Sequence, residues 1–549
     1  MSNSGWDMYV FRDGRRTLSG AELIASLASA LGRWQMAPEH RTEDLALSAL
    51  IAAGELECAL LDDAYEPSES IGFAAEITDT VARGLLTGEK HSLSSILQTL
   101  ARIQVAHSYH VAVQEGFAYY ALHPRKLALL LQSIPLKSRT AVLGIRSIGV
   151  TLSAVAKATL RLRGIECRRI TVRPTGHPYD RKLQVTPELR EWVEHSVSEF
   201  LIVDEGPGIS GSSFLAVAEA LEECGVHNKH IHLVGSREVD PATLRAETAA
   251  ARWPRYHFHQ VQSAPLAPLE AGESLSGGAW RRRFRCEHDT MPATWAPLEP
   301  AKYFAKDERS IFKFEGFGHY GEEAGERAIL LAARGFSPRY LRNQNGFGRY
   351  EFLPGRTLNS GDRSSEVITS MAEYLAWRGK AFASAAAQTP ELEKMLCWNW
   401  HSEFGEELEP DESWLKVERV TVCDARMMPQ EWLCTSAGKL LKLDAASHGD
   451  NHFFPGPCDI AWDVAGAIVE WEMLGRARER FLSEYESRSG DRVRDRLYPY
   501  TLAYVIFRLG WCKMASLAMH GEYDETLLER DYYRYRTLAM HLRKRALAA

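Results

Sequence analysis

The sequence predicts a multidomain chain of mixed α/β and α+β class: a helical N-terminal region, a parallel-sheet α/β domain, and a small mixed lobe followed by a helical lobe. Three observations carry this expectation. Residues 1–120 place Leu, Ile and Ala at three- and four-residue spacing, as in GAELIASLASALGRW and AEITDTVARGLLTG. Residues 121–265 alternate apolar runs of strand length with helical stretches, the grammar of a parallel sheet with right-handed crossovers. Beyond residue 301, short alternating strands give way to long helices.

The composition fits that reading. The chain has 549 residues, 45% apolar and 25% charged, enough for three or four units of roughly 150 residues. Its 65 basic and 72 acidic side chains leave a net charge of −7, which argues against wrapping nucleic acid and points to small-molecule partners. No apolar run reaches the roughly 18 residues of a membrane helix, and the start, MSNSGWDMYVFRDGRR, has no apolar h-region. A cytoplasmic location is expected, with a homo-oligomer left open. Nine cysteines without a C-x-x-C pair read as reduced, mostly buried thiols.

Within the parallel-sheet region, TAVLGIRS is a strand running into a turn, SAVAKATLRLRG a helix ending at Gly164, and CRRITVRPTG the next strand. FLIVDEGPGISGSS follows as a buried strand and loop, FLAVAEALEECG as a helix closed by Gly225, and HIHLVGS as a further strand. Residues 266–300, rich in Pro, Gly and Arg, read as a linker. SIFKFEGF then alternates like a strand, GEEAGERAILLAARG is an amphipathic helix, and GRYEFLPGRTL is a strand and turn.

The first chemical constellation lies after the buried strand, where Asp204 and Glu205 precede a glycine-serine loop and a helix. Ligands bind beyond the carboxyl ends of parallel strands, and a following helix offers free N–H groups to an anion. Adjacent carboxylates suit ribose hydroxyls or a phosphate-bound magnesium ion. These residues resemble the type I phosphoribosyltransferase family, whose signature is an apolar strand, two acids and a Thr/Ser-Gly-x-Thr/Ser loop. The resemblance implies that Asp204 and Glu205 take the two acid places and that Ser210, Gly211, Ser212 and Ser213 form the 5-phosphate loop. It further implies a pyrophosphate turn with Arg146, Ser147 and Gly149, and pyrophosphate contacts from Arg173, His177, Arg181 and Lys182. Gly211 stands one residue farther from the acids than the family spacing.

The second constellation begins with Lys313 in mid-strand, with Glu322, Glu323 and Glu326 on the next helix as candidate partners. A strand lysine fixed by a helix glutamate grips ATP phosphates in phosphoryl transfer. Asp424, Asp444 and Asp463 follow at intervals of 20 and 19 residues. They resemble the aminoglycoside phosphotransferase family of kinase-like enzymes over residues 301–520. That resemblance implies a two-lobed kinase-like domain over 301–549, Asp424 at the acceptor hydroxyl, Asp444 on magnesium, Asp463 as a structural acid, and Phe352 and Leu353 near the adenine hinge. The family's His-Gly is Val422-Cys423 here, and its asparagine falls on Pro429, with Gln430 and Glu431 as the nearest polar substitutes; Glu431 is the candidate second metal ligand. HGDNH, at 448–452, mimics a catalytic motif, but only nine residues separate Asp450 from Asp459. It reads as a cleft loop, with an alternate-residue metal site at His448, Asp450 and His452 if extended.

RRRFR (281–285) reads as a solvated or interdomain run, and His227, His230 and His232 as turn and strand residues; helix 494–518 and the basic tail read as scaffold. The expected function is a bifunctional transferase moving 5-phosphoribosyl from phosphoribosyl diphosphate, and the γ-phosphate of ATP, to small acceptors with Mg2+. The alternative is a regulator that only binds the diphosphate and governs a kinase or pseudokinase domain.

Overall fold

The computed structural model describes residues 7–63, 67–90, 93–105, 107–195, 199–262, 265–283, 291–384, 389–409 and 414–546. It divides into two compact units: Arg15–Ala267 with Gly316–Gly321, and Met1–Gly14 with Pro268–Glu315 and Glu322–Ala549.

The first unit is built on a five-stranded parallel sheet. Its strands β1 (Arg139–Ile145), β2 (Glu166–Val172), β3 (Glu199–Val203), β4 (Ile231–Gly235) and β5 (His257–Gln260) lie in the order β2-β1-β3-β4-β5. Central β1 pairs Leu143 with Ile170 on one side and Ile202 on the other, so its apolar run is covered on both faces. Leu143 and Ile145 join Ile202, Phe214, Val217, Leu221 and Trp253 in one core. Gly144 points oppositely, against helix Ile148–Leu162, where a Cβ would meet the Gly149 carbonyl at 2.1 Å.

The boundary expected at residue 120 is absent. Helix Thr42–Asp62 is buried at every residue from Leu45 to Leu60, and it packs with helices Ser68–Thr87 and Ile148–Leu162. A helix buried on every face in this way has to be enclosed by its neighbours. Arg169 of β2 seals the join, with Nη1 and Nη2 on Glu57 at 2.8 and 2.9 Å and Nε on Asp79 at 2.5 Å. The helical region and the parallel sheet are therefore one body. Tyr320, in the short Gly316–Gly321 excursion, donates to Glu55 at 2.8 Å and accepts from the Gln114 N–H at 3.0 Å.

The second unit has a five-stranded antiparallel sheet of β6 (Ala271–Ser274), β7 (Lys302–Ala305), β8 (Ser310–Phe314), β9 (Tyr340–Gln344) and β10 (Phe347–Glu351), in the order β6-β7-β8-β10-β9. Here the expected linker 266–300 is corrected: it supplies β6, and Arg281 forms a buried bidentate pair with Asp524 at 2.7 and 2.8 Å. Phe284 and Arg285 of the basic run lie outside the described residues.

A helical lobe follows, centred on Ala461–Glu470 and Leu497–Ala518, with Trp400, Trp462, Trp471 and Tyr504 fully buried. Residues near the N-terminus belong to this unit. Asn399 clamps the Tyr9 backbone through N–H and C=O at 2.6 and 3.0 Å, and Phe11 stacks on Phe453. The eight described cysteines are free, and no described helix is long and apolar enough to cross a membrane.

Candidate active site

In the second unit, Lys302 and Lys313 are cross-strand partners on β7 and β8, so both side chains leave the same face of the sheet. Lys302 Nζ donates to Asp444 Oδ2 at 2.6 Å. Lys313 Nζ donates to Ser447 Oγ at 2.8 Å and lies 3.5 Å from Asp444 Oδ1. The helix carboxylate expected beside Lys313 is corrected: Glu326 faces solvent, and Glu315, two residues on and just past the end of β8, stands 3.4 Å from the ammonium. Burial alone would raise the Asp444 carboxyl, but Lys302, Lys313 and His448 outweigh it and hold the group well below its ordinary value.

The loop preceding this acid is fixed by its backbone. Asp463, at the start of helix Ala461–Glu470, accepts from the N–H groups of Asp424 and Ala425 at 2.7 and 2.9 Å. Those bonds hold Ala425 at φ 64, a left-handed conformation that a β-carbon disfavours. Burial and the nearby Asp424 push Asp463 up to about 6. Arg378, fully buried, donates to the carbonyls of Val422, Cys423 and Ala445 at 3.0, 2.9 and 2.8 Å. Gly449 is required where it stands, because a Cβ there would sit 1.8 Å from the Cys423 carbonyl oxygen.

Asp424 itself is fully enclosed. Its carboxylate accepts from the Tyr374 hydroxyl and lies 3.2 Å from Lys442 Nζ. Lys442 in turn donates to Glu431 at 2.9 Å, which links an enclosed acid through an ammonium to a cleft-lining one. Burial raises the Glu431 carboxyl, although Lys442 and Arg426 oppose the shift. The ligand atoms of Asp424, Glu431 and His448 lie within 4.8 Å of one another. The metal site expected of extended residues 448, 450 and 452 is not formed: 448–450 is a 3-10 turn, and Asp450 pairs with Arg327 at 2.5 Å. Oxygen donors at Asp444 and Glu431, facing one cleft, fit a hard divalent cation.

These groups line one side of a cleft of about 180 Å³. Phe352 and Leu353 line it as well, together with Ile311, Tyr350, Leu433 and Leu443. The arrangement joins an apolar slot to paired lysines and carboxylates, which suits a flat base and a polyphosphate.

The parallel-sheet unit presents a different arrangement. Asp204 and Glu205 follow β3 directly, and Gly211, at φ 69, turns the chain into helix Ser212–Glu223. Glu205 accepts from the Gly116 N–H. Surrounding protein and the neighbouring Glu115 push Asp204 up to about 7, and the same causes, with Asp204 itself, raise Glu205 further. Ser210 and Ser212 both donate to the Pro178 carbonyl, at 2.8 and 2.7 Å. Pro178 lies in the hairpin Thr175–His177/Asp180–Lys182 that carries Arg181 and Lys182. Arg181 donates to the Pro174 carbonyl at 3.2 Å, and Lys182 is exposed beside Asp180.

Arg146 and Arg173 do converge, but on Asp62: Arg146 Nη1 is 3.2 Å and Arg173 Nε 2.7 Å from its Oδ1. Ser147 donates to the Val113 carbonyl at 3.1 Å, Gly149 lies against the Val203 carbonyl, and Ser213 is the second residue of helix Ser212–Glu223. His232, read as a plain strand residue, bonds Glu199 at 3.1 Å and His259 at 3.0 Å.

No protein-family model matches the chain, and no curated protein matches it. Solved structures do show similarity. Choline kinase LicA from Streptococcus pneumoniae is 18% identical, with 44% of this chain and 90% of that chain covered and a TM-score of 0.31. Macrolide 2'-phosphotransferase MphH from Brachybacterium faecium is 16% identical, covering 47% and 96%, at TM-score 0.30. An aminoglycoside phosphotransferase from Alicyclobacillus acidocaldarius is 14% identical, covering 52% and 98%, at TM-score 0.31. Likenesses of this size carry no chemistry, which rests on the cleft's own residues.

Several residues at the cleft were invisible to sequence reasoning. Lys302 and Lys442 are strand lysines whose partners lie 142 and 11 residues away; the alternation in KLLKLD was the available signal for Lys442. Arg508 and Trp511, in a helix read as scaffold, line the cleft with Trp280, Trp295 and Phe453.

Proposed function

We propose that the second unit is an ATP-dependent phosphotransferase acting on a hydroxyl of a small molecule. The observation that carries this reading is Asp444, held between Lys302 and Lys313 at the mouth of an apolar slot. The adenine lies in the slot against Phe352 and Leu353, and the two lysines grip the phosphates. Asp444 would hold magnesium, which would neutralise phosphate charge.

The γ-phosphorus separates from the β–γ bridging oxygen, which leaves on ADP with the electron pair. The acceptor hydroxyl oxygen forms the new P–O bond, and its proton passes to a carboxylate. Asp424 was the expected acceptor of that proton, but it is enclosed by Tyr374 and Lys442. Glu431 reaches the cleft and has a raised carboxyl, which suits a general base. Asp424 then positions Lys442. Measuring ADP formation and acceptor phosphorylation tests this: Glu431→Gln should lower turnover about a hundredfold, and an unchanged rate would remove Glu431 from the mechanism.

For the parallel-sheet unit we propose binding of phosphoribosyl diphosphate with magnesium, Asp204 and Glu205 taking the ribose hydroxyls or the metal. The apposed acids and the left-handed Gly211 at a helix N-terminus support it. A purely regulatory reading gains support from Arg146 and Arg173, both engaged by Asp62, and from Ser210 and Ser212, both bonded to Pro178. Pyrophosphate release across a panel of bases and amines separates the two: release with acceptor consumed supports transfer, and binding without release supports regulation.

A further inference from the structure

The cleft carries two guanidinium groups that form no direct ion pair with a carboxylate among the described residues. Arg508, only 5% exposed, lines the cleft; among the described residues its one hydrogen bond runs from Nε to the Tyr535 hydroxyl at 3.3 Å. Among the described residues no carboxylate lies within salt-bridge distance of it. Its charge is balanced indirectly by Glu470, which accepts from the Tyr535 hydroxyl at 2.6 Å; its two Nη groups have no acceptor among the described residues and are left to an oxyanion entering the cleft. Arg426, two residues beyond Asp424 and also lining the cleft, likewise forms no ion pair among the described residues.

The acids nearby are already engaged. Asp444 and Glu431 face lysines, and Glu299 accepts from the Trp280 indole at 3.0 Å and the Gly278 N–H at 2.9 Å. The wall beside Arg508 is aromatic: Trp511 lies 5.7 Å from Trp295 and 6.1 Å from Phe453, centroid to centroid. Such a wall otherwise suits an alkylammonium ligand. Here, however, the Arg508 guanidinium already stands over the Trp511 ring at 4.6 Å, so a second cation meets repulsion.

Resting on the phosphotransferase reading, we propose that the acceptor bears an anionic group, phosphate or carboxylate, seated on Arg508 and Arg426, with a flat ring against Trp295, Phe453 and Trp511. A bidentate guanidinium contact favours both oxyanions. The acceptor's hydroxyl then faces Glu431 and the γ-phosphate.

Calorimetry on the full chain tests this with four probes, in the presence and absence of Mg2+ and a non-hydrolysable ATP analogue. The probes are uridine 5′-monophosphate, 4-hydroxybenzoate, uridine and choline. At least one anion is expected to bind about tenfold or more tighter than uridine and choline, and which one identifies phosphate or carboxylate as the group. Arg508→Gln should abolish that preference; Arg426→Gln, on a partly exposed loop, should reduce it even if the buried substitution unfolds the chain. Choline or uridine binding as tightly as either anion, or an anion affinity unmoved in both variants, overturns the proposal. Failure of the ATP analogue to bind instead removes the phosphotransferase reading, and the four probes still report on the arginines alone.

Discussion

The two acidic sites of this chain solve the same electrostatic problem differently. In the cleft of the second unit each carboxylate meets an ammonium: Asp444 meets Lys302 and Lys313, while Asp424 and Glu431 share Lys442. In the parallel-sheet loop Asp204 and Glu205 stand together with Glu115 nearby, and the arginines expected there are drawn to Asp62. A compensated cluster is stable without ligand and trades lysine contacts for phosphates and metal. An uncompensated one holds its protons near neutrality and gains most from an arriving cation. Charge balance, rather than the number of acids, separates the two sites, and under the proposed functions it separates a prepared polyphosphate site from one awaiting its ion.

The sharpest way to break this comparison is to remove one side of the compensated pair. Asp444→Asn should reduce ATP turnover about a thousandfold, on the scale of losing a principal electrostatic contact to phosphate, with circular dichroism unchanged. Next in size, Arg378→Met removes the donor to three buried carbonyls and is expected to destabilise the second unit by about 3–5 kcal/mol, read as a lowered denaturant midpoint. A midpoint within error of wild type would show that Asp463 alone holds the loop.

The opposite sign is expected in the parallel-sheet loop. Asp204→Asn with Glu205→Gln should weaken binding of magnesium and phosphoribosyl diphosphate, yet raise Tm at neutral pH, because it relieves like-charge crowding. An unchanged heat of binding would move the phosphate site elsewhere, and a lowered Tm would contradict the crowding argument.

A paired acid in the same unit supplies the control. Burial opposes ionisation of Glu55, but His319, Arg16 and Tyr320 outweigh it and lower its carboxyl to about 2. The unfolded chain therefore takes up the proton first as pH falls. The stabilisation, on the order of 3 kcal/mol, is fully present above about pH 4.5 and is lost toward pH 2. Acid titration of Tm in wild type and Glu55→Gln should converge at the low end of that window; curves that stay parallel across it would remove Glu55 as the source. Smallest of all, Ser210→Ala should cost about 1 kcal/mol and speed hydrogen exchange in the 175–182 hairpin.

Much of this was legible in the sequence where chemistry follows chain order. The apolar run into Asp204 and Glu205 marked a parallel strand's carboxyl end, and the family resemblance implied a structural acid at Asp463, whose carboxylate accepts from the Asp424 and Ala425 N–H groups. What was hidden depends on partners far along the chain. Alternation says which face a strand residue takes but not what it meets, so Lys302 gave no hint of Asp444, and the partners expected for Lys313 were Glu322, Glu323 and Glu326 rather than Glu315. Helix Thr42–Asp62 read as part of an independent leader because its nearly all-round apolar pattern calls for enclosure without naming Ile148–Leu162 as what encloses it. Arg508 looked like scaffold because a helix of mostly apolar residues conceals which position opens on a cavity.

The central claim is that Lys302, Lys313 and Asp444 form a working polyphosphate grip. Phosphorus NMR of Mg–ATP with the full chain and 4-hydroxybenzoate or uridine 5′-monophosphate tests it most directly. Growth of ADP and phosphorylated-acceptor resonances in wild type, and their absence in Asp444→Asn of unchanged fold, is the predicted result. Equal ADP production by the two proteins would contradict it.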